Sequence, residues 1–225
     1  AVMGDLPPEA LAAACEIAAG DGDDVFVEKA AAEAARRFPE KPEVADYLTG
    51  LRWGALAHSG RKDAAVADIL RTPPGALPGV VLPSAAARVL RWAGRPIEAT
   101  EAADRAFAGL AADASAADRL LVADLLSLFE RWSEAASLYE GLLACAGPGP
   151  SDLHARLLEC YAESDSRANA KALLSRMPDG WAEHDETRRQ AINLGQKAVD
   201  WAFLAPLAER QSVKAPREAA SWLFR

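Results

Sequence analysis

Residues Leu90 to Phe107, Leu-Arg-Trp-Ala-Gly-Arg-Pro-Ile-Glu-Ala-Thr-Glu-Ala-Ala-Asp-Arg-Ala-Phe, spell one helix that stops at a glycine and a second that starts almost at once. Gly94 can end the first helix because glycine takes the left-handed conformation without steric cost, and Pro96 pre-sets the backbone of the next first turn. The two helices therefore form a tight antiparallel hairpin. The stretch also supplies a register mark, since Ala99, Ala103 and Ala106 recur at helical spacing and leave a smooth face that a neighbouring helix can approach.

The alanine that opens the packing face of each second helix falls at Ala65, Ala99, Ala135, Ala170 and Ala205, spaced by 34, 36, 35 and 35 residues. A period near 34 is that of a class of helical repeats in which each unit is one helical hairpin. Two further columns keep the same register. Four residues after the mark stand Ile69, Ala103, Tyr139 and Leu174, and nine before it stand Leu56, Leu90, Leu126 and Tyr161. Composition agrees: 52 of the 225 residues are alanine, the strongest helix former, and runs rich in Val, Ile, Thr and Tyr are almost absent, so the chain is expected to be all-α.

Breakers place the hairpins at about 7–38, 43–71, 83–110, 116–144, 151–176 and 183–210, with a further helix beginning at 216–225. Ser115 followed by Asp118 fits a capping box at the start of the fourth, with aspartate in the place of a longer acid. The 73–83 connection is the longest loop, and Pro206 is expected to kink the last hairpin.

At these offsets the chain resembles the tetratricopeptide repeat family. Gly60 and Gly94 match its turn glycine, Trp132 the aromatic after it, and Glu98-Ala99 and Glu134-Ala135 its Glu-Ala pair. Trp53 and Leu158 stand where the family has a small residue, and Glu130 and Asp165 where it has the turn glycine. The resemblance covers residues 44–178 well and the ends loosely. It implies one domain over residues 1–225, a right-handed superhelical α-solenoid of about six antiparallel hairpins, in which Trp132, Tyr139 and Leu142 belong to an inter-repeat core.

A net charge of −8 and a pI near 5.0 leave no basic surplus for phosphate contacts, so no direct nucleic-acid partner is expected. No run of about 18 apolar residues is present, so no membrane span is expected. Cys15, Cys145 and Cys160 form no C-x-x-C pair and read as reduced, buried thiols of a cytoplasmic protein. The chain starts without methionine and ends inside an apolar helical pattern, Trp222-Leu223-Phe224-Arg225, as a fragment of a longer polypeptide is expected to do.

Signatures of nucleophilic, metal or nucleotide chemistry are missing from the sequence. His58, His154 and His184 stand in separate repeats without a ligand partner at metal spacing. Asp21-Gly22-Asp23-Asp24 opens like a calcium loop, but Phe26 and Ala32 occupy its essential sixth and twelfth positions. Glu159, Glu163 and Asp165 read as a solvated acidic face. The expectation is a protein with no cofactor, no bound metal and no enzymatic activity.

What remains is the concave face that the resemblance implies. Carried over position by position, its groove residues are Tyr47 and His58, then Arg88, Arg91 and Trp92, then Asp124, then Asp152, Glu159 and Glu163. Arg88, Arg91 and Trp92 are the strongest of these. Two guanidinium groups can grip an anion, and an indole adds contact area typical of binding hot spots. The functional expectation is a non-catalytic scaffold that holds a peptide or a partner helix. The alternative is a ligand-sensing or regulatory segment of a larger signalling or transcription-regulatory protein.

Overall fold

A computed structural model describes residues 6–73, 77, 79–146, 152–177, 188–191 and 193, and among them the chain is helices and turns without a strand. It divides into two compact units, residues 1–125 and 126–225. The first holds α1 (Pro8–Asp21), α2 (Asp24–Arg37), α3 (Pro42–His58), α4 (Lys62–Arg71), α5 (Val81–Trp92) and α6 (Pro96–Ala108). The boundary falls within α7 (Ala116–Leu128), and the second unit continues with α8 (Trp132–Cys145), α9 (Asp152–Glu163) and α10 (Arg167–Arg176). The expected last hairpin at 183–210 lies outside the described residues except for helical 188–191 and 193, and so do Ala205, Pro206 and the helix expected at 216–225.

Each described hairpin is closed by the same local device. Gly22, Gly60 and Gly94 have φ of 77°, 83° and 75°, and Glu130 and Asp165, at the equivalent places, have φ of 61° and 54°. The amide that follows then donates back across the turn: Asp23 N to Ala18 O at 2.8 Å, Arg61 N to Leu56 O at 2.9 Å, Arg95 N to Leu90 O at 2.9 Å, Arg131 N to Leu126 O at 2.9 Å and Ser166 N to Tyr161 O at 2.8 Å. Such a left-handed residue satisfies orphan carbonyls at the helix end and reverses the chain. The two non-glycine positions therefore keep the turn geometry, although the side chain departs from the repeat pattern.

Five residues beyond each left-handed position, the second helix presents a fully buried residue. Val27, Ala65, Ala99, Ala135 and Ala170 are all 0% exposed. The columns around them are buried as well, with Ile69, Ala103, Tyr139 and Leu174 on one side and Leu56, Leu90, Leu126 and Tyr161 on the other. In the first unit α1 packs on α3 and α3 on α5, while α2 packs against α3 and α4 against α5. In the second unit α9 packs against both α8 and α10.

Two details differ from the sequence reading, the start of α5 and the burial of Trp132, and the seating of Trp53 adds to it. α5 starts at Val81 rather than after Pro83, because a proline in the first helical turn loses only an amide that would have no helical partner. Trp53, the departure from the small-residue position, is 1% exposed, and its indole Nε1 donates to Asp68 Oδ2 of α4 at 2.8 Å. Arg52 pairs with the same carboxylate, so a large residue is seated by a polar partner from the second helix. Trp132, expected in the core, is only half-buried at the first position of α8, whereas Tyr139 and Leu142 are buried as expected.

At the start of α7, Ser115 Oγ accepts from Asp118 N at 3.1 Å, as in a capping box. The reciprocal bond differs. The shorter Asp118 carboxylate accepts from the Ser115 hydroxyl at 2.8 Å, where a glutamate would reach the cap's backbone amide.

Gly94→Ala should cost about 1–2 kcal/mol, since a Cβ there meets open space and the whole cost is conformational. Glu130→Gly should instead gain up to about 1 kcal/mol, relief of the left-handed strain exceeding the added freedom of the unfolded chain. Urea titrations of both variants check the signs. Trp53→Ala should cost about 3–5 kcal/mol. Trp132→Ala should cost about 1–2 kcal/mol because its indole is half-buried, and equal losses in the same titrations would contradict the burial difference.

Candidate functional site

The first helices of three successive hairpins line one groove in the first unit, with a volume of about 660 Å³. α3 contributes Tyr47, Gly50, Leu51, Gly54 and His58, which recur every three or four residues and so share one face. α5 contributes Val81, Ala85, Arg88, Val89 and Trp92, and the first turns of α7 contribute Ala117, Asp118 and Leu121. The floor is apolar and cut from small residues. A Cβ at Gly50 would lie 3.0 Å from Ala85 Cβ, a close approach of α3 to α5, whereas a Cβ at Gly54 would meet nothing within 4 Å.

One end of the groove is aromatic and cationic. The His58 and Trp92 rings stand with centroids 4.5 Å apart at 43°, and Lys62 Nζ of α4 lies 4.3 Å from the Trp92 ring centroid. His58 is held in place by a 2.8 Å hydrogen bond between Nδ1 and Gly54 O. Trp92 remains 45% exposed and Arg88 is exposed, so both border the open space. A cation over an indole face contributes about 0.5–1 kcal/mol at an exposed site, enough to fix the ring without burying it.

The other end is closed by Tyr47, whose hydroxyl donates to the Glu16 carboxylate of α1. Burial, and then this carboxylate, push the Tyr47 hydroxyl up to about 12, so it stays protonated and serves as a strut. At α7 the Asp118 carboxylate is occupied by Ser115.

The expected groove residues divide accordingly. Tyr47, His58, Arg88 and Trp92 share the groove, and Arg91 is exposed on α5 beside Trp92 without lining it. Asp124 stands on α7 one turn beyond Leu121 and is not among the lining residues. Asp152, Glu159 and Glu163 belong to α9 in the second unit. Lys62 and the two glycines were missed by the sequence reading. The signal for the glycines was present, because Gly50 and Gly54 inside a helix each cost about 1 kcal/mol relative to alanine and call for a packing or functional reason.

Among the described residues no group of three or more His, Cys, Asp or Glu side chains could hold a metal ion, and no helix is long and apolar enough to cross a membrane. His154 is buried in α9, and His184 lies outside the described residues. The thiols correct one expectation: all three are free, but Cys145, near the end of α8, is exposed while Cys15 and Cys160 are buried. Compared with known protein families and with curated proteins, the sequence matches none.

Burial pushes the Cys15 and Cys160 thiols up to about 11, so native protein at pH 8 should offer one thiol per chain to a disulfide reagent and three once unfolded. A thiol pKa raised by folding is a stabilising contribution that is intact below the unfolded value near 9 and is lost as pH rises toward about 11. Reagent titration with and without denaturant, followed by melts across pH 8–11, checks both statements.

Proposed function

We propose that this chain is a non-catalytic interaction scaffold of the tetratricopeptide-like kind, a right-handed solenoid of about six helical hairpins. It binds a peptide or partner helix in the groove of α3, α5 and α7. The observation that carries the reading is that groove: one face from each of three successive first helices, an apolar floor, and an aromatic and cationic end. Its volume of about 660 Å³ falls within the range of ordinary ligand sites. An exposed tryptophan flanked by cations is a side-chain set that concentrates binding energy.

Three further points support the reading. The turn device recurs in all the described hairpins, and the buried alanine column keeps a spacing of 34–36 residues from the second to the fifth. The titratable groups of the groove are tied into structural contacts, Tyr47 to Glu16 and Asp118 to Ser115, instead of converging on a reacting centre. Free thiols suit the cytoplasm, where we place the protein and its partner. The apolar floor also supports a second reading, a small apolar ligand bound by a sensory segment of a larger regulatory protein, since concave apolar sites with few polar groups suit such ligands.

Gly54→Leu separates groove from fold. Leucine is a better helix former than glycine by about 1 kcal/mol and meets no atom near its Cβ, so the variant should melt at or above the parent temperature. Its side chain fills the floor, and peptides selected from a random displayed library on the parent should bind it at least about tenfold more weakly, about 1.4 kcal/mol. Charge reversal at Arg88 together with Arg91 should also weaken them. Unchanged affinity in Gly54→Leu by calorimetry sinks the groove assignment.

A further inference from the structure

The groove's polar inventory restricts the backbone conformation of what can lie in it. Every residue of an extended peptide carries an amide and a carbonyl, and burying either without a partner costs free energy. A site for extended chain therefore needs side-chain amides or hydroxyls at regular intervals along its walls. None of the lining residues is Asn, Gln, Ser or Thr. The Tyr47 hydroxyl is already bonded to Glu16 and the Asp118 carboxylate to Ser115, which leaves the long middle of the floor to Gly50, Gly54, Ala85 and Val89. An α-helix satisfies its own backbone internally and brings only side chains to such a floor.

Charge orients the occupant. Cationic side chains gather at the Trp92 end, where Arg88 lines the groove and Lys62 stands over the indole. Among the described lining residues the one carboxylate is Asp118 on α7, which accepts from Ser115, and Glu16 beside Tyr47 places a second negative charge at the opposite end. In a chain of net charge −8, two cationic side chains at one end of an apolar groove favour an acidic partner there over a basic one. The lining residues of α3 run from Tyr47 to His58, about 16 Å of helix axis or three helical turns.

Deepening the reading above and resting on it, we propose that the groove of the first unit receives an amphipathic α-helix of about three turns. The helix lays its apolar face on the glycine and alanine floor and presents carboxylates to Lys62 and Arg88. Gly54 is the specificity-determining position, because the open space above it admits a large apolar anchor. The Trp92 indole, held by His58 and Lys62, forms the wall against which that anchor packs.

Three synthetic 14-residue peptide pools of equal apolar content test this: helical i, i+3, i+4, i+7 spacing with glutamates at one end, the same spacing with lysines there, and strict alternation with a central proline. Titrated into the parent protein, the glutamate pool should bind at least about tenfold tighter than either other pool and should gain helical circular dichroism on binding. Lys62→Glu combined with Arg88→Glu should reverse the preference between the glutamate and lysine pools. Tightest binding by the alternating pool, or no preference for glutamate over lysine, overturns the helix proposal while leaving the groove in place as a binding site. A failure of all pools to bind in a manner sensitive to Gly54→Leu overturns the underlying reading too. Anilinonaphthalene sulfonate binding that is lost in Gly54→Leu, without any peptide binding, points instead to an apolar small molecule and overturns both.

Discussion

The hydrogen bond that crosses each hairpin turn behind a left-handed residue is the contact on which the described fold depends. It recurs at Gly22, Gly60, Gly94, Glu130 and Asp165, each time from the following amide to the carbonyl five residues before. Its consequence is geometric. With the turn closed in one way, the fifth residue after the left-handed position always reaches the partner helix at the same height, and Val27, Ala65, Ala99, Ala135 and Ala170 are buried completely there. Small residues at that height let helices approach closely, and close approach excludes water from the columns on either side.

The same close packing accounts for the groove. Because second helices are occupied with first helices of their own and the next hairpin, α1, α3 and α5 are left to pack in sequence on each other. Along that row α3 and α5 come close at Gly50 and Ala85, where a Cβ at position 50 would crowd Ala85. One turn on, Gly54 lacks any such neighbour, and the row opens into a hollow. A helix with two internal glycines is intrinsically weak, yet α3 is braced by α1, α2, α4 and α5. Tertiary packing compensates for the propensity that the groove floor gives up.

The turn glycines at 60 and 94 and the alanine column were legible in the sequence because each depends on a local rule, a left-handed cap or a helical period. Glu130 and Asp165 looked like failures of the rule because residue identity only reports conformational preference, and at these places the closing hydrogen bond and the buried column beyond it outweigh a cost of about 1–2 kcal/mol. Trp53 was unreadable for another reason. Whether an indole can sit in a tight helix contact depends on Asp68, fifteen residues away on the partner helix, and on the space left around it. Cys145 was misplaced because an alanine-rich helix end looks apolar whether or not anything covers it.

The groove was legible only in part, and the part missed is the more informative one. Tyr47, His58, Arg88 and Trp92 follow from helical register alone, since one face of α3 and one face of α5 carry them. Lys62 does not, for it reaches Trp92 from the second helix across a turn, and that contact turns a half-exposed indole into a fixed wall. The floor is defined by what is absent, side chains at positions 50 and 54, and an absence acquires meaning only when the opposing helix is in view. A mobile side chain there would fill the hollow with many conformers, whereas glycine leaves a surface whose shape is set by backbone. Of the lining groups able to hydrogen-bond, Tyr47 and Asp118 are already engaged and His58 is anchored through one ring nitrogen, while the donors of Arg88 and Trp92 stand at one end. Discrimination in such a site rests on shape and on the sign of charge at one end, and both are properties that a preformed helix can match with little ordering cost.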